Sequence, residues 1–322
     1  VYEPPHTPSF QTLRAHNNSS REEHSSIIVD HLTYCVKMDR IGTEERDIKT
    51  MKLYSHVERI DNEIRERGLC DGAHIDPEEL SEIDSMHYEG NDAIRAAIEV
   101  CGVDSSSQVL DIGSGFGGPA RVFSKETNCK VVAIELQEDV HKKAAELTER
   151  CKLEQLVSHY HGHFLDYNLE ELGNGPVSFD AVTSWLVFLH IPDKAALLKN
   201  CFKMLKNDGI LYTEDYYMRE AFTDAEEISL KSDVYCSDLP TKEKYISELE
   251  SAGFSDIEFV DKTTDWTVFV NERLQAFIAG KERFVRVHGE PTFDKLLHFY
   301  SAVAKLFNGG HLGGVRLLAK KK

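Results

Sequence analysis

None of the apolar runs in the 322 residues is long enough to cross a bilayer, which takes about 20 consecutive apolar residues, so membrane insertion is not expected. Basic charge is scarce. Against 55 Asp and Glu stand only 37 Lys and Arg, a formal net charge of −18. Phosphate binding needs a basic footprint, so a nucleic-acid partner is excluded on that ground; the acidity is read as solubility. There is no Cys-x-x-Cys pair. The seven cysteines (35, 70, 101, 129, 151, 201 and 236) are odd in number and dispersed, which predicts reduced thiols and a cytoplasmic setting. Residues 1–14 lack the basic and apolar regions of a signal peptide. The first residue is Val1 rather than Met, so a few native residues are expected to be missing. Internal repeats and low-complexity tracts are absent apart from Lys320, Lys321 and Lys322.

What is present has an ordinary globular balance, 41% hydrophobic and 29% charged. Residues 1–25 are polar and expected to be poorly ordered. Helical spacing of apolar residues follows at 26–39, 50–67 and 92–100, so residues 26–90 are expected to form a helical extension or cap. From residue 108 the pattern alternates. Strands are predicted at 108–112, 130–135, 156–160, 179–186 and 210–215, with helices at 138–150 and 194–205. Such alternation predicts an α/β fold over residues 91–322, a mostly parallel sheet with helices on both faces. Its ligand site would lie along the strands' carboxyl edge. After Asp215 the rhythm changes. Residues 216–240 are polar and read as an irregular, poorly anchored lid. A helix at 241–252, a strand at 254–260 and a final strand at 315–319 follow, with helices at 271–287 and 293–307 in an insertion spanning 264–308.

The central motif is VLDIGSGFGG at residues 109–118. Glycines where a strand turns into a helix let the backbone approach a ligand without Cβ clashes, and the helix start offers free N–H groups. Gly113, Gly115 and Gly118 satisfy G-x-G-x-x-G, a dinucleotide fingerprint that is weak alone. Asp111, two residues before Gly113, argues against a pyrophosphate and for a ligand with a cationic amino group. Glu135, ending the next predicted strand, suits a ribose diol. Asp111 favours S-adenosyl-L-methionine over NAD, whereas Glu135 suits either cofactor.

Residues 109–118, 185–194 and the carboxyl-terminal glycines resemble class I S-adenosylmethionine-dependent small-molecule methyltransferases with a Rossmann-like sheet. The sarcosine/dimethylglycine and phosphoethanolamine N-methyltransferases look most similar, notably at FLHIPDK, residues 188–194. GGPAR, residues 117–121, is similar to the sterol C-methyltransferases. The resemblance covers roughly residues 81–320. It implies cofactor contacts, with S-adenosyl-L-homocysteine as product, from Asp111, Gly113, Ser114, Gly115, Gly117, Glu135 and Leu136. His163 and Phe164 would flank the adenine, and Trp185 would line the cofactor or the core. His190 is implied as the catalytic residue, paired with a tyrosine: Tyr88, with Tyr54 the alternative. On the substrate side the implied residues are Tyr216, Asp233 and Tyr235. Leu186 stands where these families generally carry Asp. Asp233 falls where the phosphoethanolamine enzymes place a phosphate-binding Arg, so phosphoethanolamine is expected to be a poor acceptor. His159, His161 and His163 alternate along a strand; a surface-edge reading is preferred to metal, for which partner ligands are missing. The expected activity is methyl transfer to a small-molecule acceptor, most plausibly an amine nitrogen. Sterol- or lipid-type C-methylation, O- or S-methylation, and a silent cofactor-binding partner protein are the alternatives.

Overall fold

Strand β1 (Gln108–Ile112) is buried over four of its five residues, which suits a central strand covered on both faces. The computed structural model describes residues 56–69, 72–167 and 178–322. Expectations for residues 1–25, for a helix at 26–39 and for Tyr54 lie outside the described residues. Beside β1 run β2 (Lys130–Glu135) and β4 (Phe179–Trp185), both parallel to it. Then β3 (Val157–His161), β5 (Leu205–Met218), β6 (Ser255–Asp261) and β7 (Leu312–Lys320) complete a seven-stranded sheet of order β3-β2-β1-β4-β5-β7-β6. Only β7 runs antiparallel, and it lies between β5 and β6. The chain steps outward from β1 through β2 to β3 and then returns to place β4 on the other side of β1, so the order reverses between β1 and β4. A crevice opens at the strand ends there.

Side chains alternate across the sheet. Val109, Val131, Ala133, Ala181 and Tyr212 face one layer, with α1 (Glu58–Glu66), α2 (Pro77–Asp84), α3 (Gly90–Cys101), α4 (Gly118–Thr127) and α5 (Glu138–Arg150) supplying Ile60, Leu80, Ile94, Phe123 and Leu147. Leu110, Ile112, Ile134, Val182 and Leu211 face the other, under α6 (Lys194–Met204) and α8 (Lys242–Ala252). A third apolar cluster joins the carboxyl edge to the inserted helices through Tyr88, Leu189, Tyr216, Trp266, Val303 and Phe307.

Three expectations are corrected after residue 205. Strand β5 extends to Met218, because antiparallel β7 pairs with it as far as Met218↔Leu312. The segment at 216–240 is not irregular: it holds the end of β5 and α7 (Asp224–Ser232), whose start is closed by a Thr223–Glu226 capping box. It is anchored too, with Leu230, Val234, Cys236 and Leu239 buried in the third cluster. The insertion has three helices, α9 (Thr263–Ala279), α10 (Lys281–His288) and α11 (Glu290–Gly309), because turns at Gly280 and Gly289 break the apolar pattern. Gly314, inside β7, admits the Trp266 indole where any Cβ would overlap it.

A buried ion pair ties α2 to α4. Arg121, 1% exposed, bonds Asp84 and donates to the Phe116 carbonyl at 2.7 Å and to Thr148 Oγ1 at 3.3 Å. Removing one partner strands the other as a buried charge. Arg121→Ala should therefore lower stability by about 3–5 kcal/mol, read as a fall in the urea midpoint with the slope unchanged.

Candidate active site

The crevice at the reversal of strand order is lined by Ile112, Gly113, Glu135, Leu136, Phe164 and His190. Its floor is the turn after β1. Gly113 (φ 69°) and Gly115 (φ 54°) occupy the left-handed region, which glycine enters freely. The Gly113 and Ser114 amides donate to the Ile134 carbonyl at 2.8 and 2.9 Å, tying the turn to β2. Glu135 ends β2 and is 6% exposed. Its Oε2 accepts from the Gly115 amide at 2.9 Å and its Oε1 from the Gln137 amide at 2.8 Å. Burial raises the Glu135 pKa, while these bonds oppose the rise.

Asp111 lies beneath this turn, 1% exposed. Its Oδ2 is buried without a hydrogen-bond partner among the described residues. Burial first, then the charge of Glu135, pushes its pKa up to about 8. A carboxylate held this way gains from any cation brought beside it.

His190 enters from the opposite wall, on a 3₁₀ turn, Phe188–His190, after β4. Two features set that turn. Leu186 adopts φ 56°, and the buried Asp215 carboxylate accepts from the Leu189 amide at 3.0 Å and the Tyr216 amide at 2.6 Å. Pro192 and the Asp193 cap, which accepts from the Ala196 amide at 2.9 Å, then start α6. The Nδ1 of His190 lies 3.1 Å from the Tyr235 carbonyl. A carbonyl only accepts, so Nδ1 carries the proton and Nε2 keeps its lone pair. Burial lowers the His190 pKa to about 4, which leaves the ring neutral at neutral pH.

The crevice thus brings together Gly113, Glu135, Leu136, His163, Phe164 and His190, with Asp111 and Ser114 within its floor. Other residues named from the sequence lie elsewhere. Gly117 caps α4 and faces His159 and Arg121. Trp185 sits in the first core cluster, its ring 6.0 Å from Phe123 and 6.1 Å from Tyr212. Its alternating position on β4 turns it to the sheet face opposite the crevice. Tyr88 hydrogen-bonds the Tyr216 hydroxyl rather than His190. Tyr235 meets His190 through its carbonyl. Asp233 is bonded to Ser229 Oγ at 2.7 Å, Ser232 Oγ at 2.9 Å and His298 Nε2 at 3.1 Å. It does not line the crevice, so the charge argument against a phosphorylated acceptor loses its geometric basis. Strand β3 lies at the sheet's edge with His161 exposed, while His159 is packed beside Arg121 and bonds Thr148 Oγ1 at 2.8 Å. Sequence reasoning missed Val187, which closes over Gly113, and Asp215. Two adjacent acids, Glu214 and Asp215, at the end of the expected strand were the available signal for the latter.

Comparison with known proteins agrees with this architecture. Residues 110–213 match the family model described as a methyltransferase domain. The chain is 27% identical over 223 residues to phosphoethanolamine N-methyltransferase 1 of Triticum aestivum, covering 69% of this chain and 43% of that protein. It is 26% identical over 157 residues to the sarcosine/dimethylglycine N-methyltransferase of Halorhodospira halochloris, 49% of this chain and 54% of the relative. The chain therefore spans about half or less of these curated relatives. Among solved structures, a Haemonchus contortus phosphoethanolamine N-methyltransferase 2, in complex with phosphomonomethylethanolamine and S-adenosylhomocysteine, superposes with a TM-score of 0.71 at 19% identity. The match covers 87% of this chain and 61% of that one. The fold is that of the class I methyltransferases.

Proposed function

We propose that the chain catalyses methyl transfer from S-adenosyl-L-methionine to a small-molecule acceptor, most directly an amine nitrogen. The observation that carries this reading is Asp111: a buried carboxylate oxygen without a partner, beneath a glycine turn and beside Glu135. That donor set fits the cofactor, which supplies a methyl group on a sulfonium that leaves readily as a thioether. Asp111 would hold its cationic amino group, directly or through water. Glu135 would take the ribose hydroxyls, exchanging part of its bonding to the Gly115 and Gln137 amides. Leu136, His163 and Phe164 would enclose the adenine. A pyrophosphate beside Asp111 would be repelled, so NAD is disfavoured.

In this reading the protein's work is alignment and exclusion of water. His190 supplies the proton acceptor. An amine that begins protonated, or loses a proton on methylation, can pass it to the Nε2 lone pair, and the resulting imidazolium is steadied by the Nδ1–H bond to the Tyr235 carbonyl. The inserted helices and α7 would provide the cover, with Tyr88 and Tyr216 on the acceptor side.

Calorimetry with S-adenosylhomocysteine, followed by a methyl-donor screen over amines, thiols, phenols and sterols, tests the proposal. Glu135→Ala should weaken S-adenosylhomocysteine by about 10-fold or more, the loss of charge-assisted hydrogen bonds. Binding of NAD in preference to S-adenosylhomocysteine would overturn the cofactor reading. Preferred turnover of a sterol would move the acceptor to the C-methylation alternative.

A further inference from the structure

The run FLHIPDK, residues 188–194, supplies His190, its turn and the Asp193 cap. Its last residue, Lys194, stands against its own physical preferences. It is the first residue of α6, and a helix amino terminus disfavours a cation. It is also buried, 3% exposed, where an ammonium is costly unless its charge and its N–H donors are met. The nearby carboxylates are engaged elsewhere. Asp238 and Glu248 lie 3.4 and 4.0 Å from the Lys244 Nζ, and Asp215 takes the Leu189 and Tyr216 amides. Among the described residues, the Lys194 ammonium donates instead to the Ile191 carbonyl, at 2.6 Å.

That carbonyl belongs to the residue after His190. The 3₁₀ turn is therefore held on both sides of the histidine, by Asp215 at the Leu189 amide and by Lys194 at the Ile191 carbonyl. Within it the His190 amide donates to the Val187 carbonyl at 2.9 Å and the Ile191 amide to the Phe188 carbonyl at 3.0 Å. A backbone fixed at 189 and 191 sets the direction of the ring between them, with Nδ1 on the Tyr235 carbonyl. The ammonium also acts through space. Burial lowers the His190 pKa, the Tyr235 bond opposes the lowering, and the Lys194 charge adds to it, because a second positive charge nearby is disfavoured. The groups facing Lys194 are Asp215 on β5, Cys236 and Asp238 after α7, and Glu248 on α8.

We propose that Lys194 is a positioning residue for His190: its ammonium closes the turn at Ile191, on the side opposite Asp215, and so aims Nε2 at the methyl acceptor. The proposal rests on the methyltransferase reading above, with His190 as the base. It gives a buried cation at the unfavoured end of a helix a role that a neutral side chain of the same length cannot fill.

Two variants of the full chain separate the bond from the charge. Lys194→Met loses both. Lys194→Gln keeps an N–H donor for the Ile191 carbonyl and loses the charge, and it serves if the Met variant does not fold. In Lys194→Met, kcat should fall about tenfold or more, as expected of a misplaced base, and recover in part in Lys194→Gln. Affinity for S-adenosylhomocysteine should stay close to the parent's in both, since neither substitution touches the glycine turn or Glu135. The acid limb of kcat/KM should move to higher pH in both, by about half a unit or more, because removing the cation lets the imidazolium form more readily. Asp215 moves in the same sense: burial raises its pKa and Lys194 opposes the rise. Nitrogen NMR shifts of His190, assigned by their loss in His190→Ala, need neither cofactor nor acceptor. At neutral pH they should show Nδ1 protonated and Nε2 bare in the parent, and a mixture of the two neutral forms in Lys194→Met. Parental kcat in Lys194→Met, an acid limb that stays in place in both variants, or a tautomer unchanged throughout overturns the assignment. A parent that does not bind S-adenosylhomocysteine fails at the methyltransferase reading instead, and the tautomer, read without ligands, then still decides whether Lys194 holds the turn.

Discussion

Gly113→Val should lose S-adenosylhomocysteine binding by more than about 100-fold, the largest effect expected of a single substitution here. At φ 69° a β-branched residue is strained by about 1–2 kcal/mol. Its Cβ would also fall 2.5 Å from Val187 Cγ1 and nearer still to Cγ2. Overpacking of this kind costs about 1–3 kcal/mol, and here it drives Val187 into the crevice. Either adjustment disturbs the 2.8 Å bond from the Gly113 amide to the Ile134 carbonyl, and with it the aim of the whole turn. Gly102→Ala separates backbone strain from damage to the site. Gly102 is also left-handed, φ 63°, but a Cβ there meets nothing within 4 Å. That variant should lose about 1 kcal/mol of stability and bind S-adenosylhomocysteine like the parent. Parental affinity in Gly113→Val would remove the basis of the cofactor assignment.

His190→Ala should lower kcat by about 10²–10⁴, the usual range for loss of a positioned base, while S-adenosylhomocysteine affinity changes by less than about twofold, because the cofactor would rest on the glycine turn and Glu135. The pH profile gives a second check. The His190 pKa is lowered to about 4 by burial, so the ring is the competent neutral base well below the usual histidine range. The acid limb of kcat/KM should therefore be lost as pH falls through about 4, not 6.5, and should vanish in His190→Ala. Parental turnover in the variant would reduce His190 to a packing role.

Much of this was legible because the informative signals are local. The run at 109–118 states in ten residues a buried strand, a turn that only glycine makes easily, and the acid beneath it. Glu135 and His190 follow from where the next strands end. The misreadings have tertiary causes. The extension of β5 to Met218 depends on β7, almost a hundred residues later in sequence, whose pairing overrides the polar composition after Asp215. Asp233 could not be placed from the sequence: which way a helix turns its polar side chains is decided by what packs against it. Trp185 was open between cofactor and core, and strand alternation set against the two apolar layers places it in the core. The Tyr88–Tyr216 contact joins residues 128 positions apart and has no local signature.

The place of β7 has a consequence for how the chain is made. The last strand in sequence lies between β5 and β6, so the sheet cannot close until residues 312–320 have left the ribosome. Until then β5 presents a bare edge and β6 has no strand partner, while the fifty residues between β6 and β7 are synthesised. Exposed edges of this kind invite pairing with other chains. A nascent or prematurely terminated product ending in α11 should depend on chaperones and aggregate without them, although its glycine turn, Glu135 and His190 are already in place.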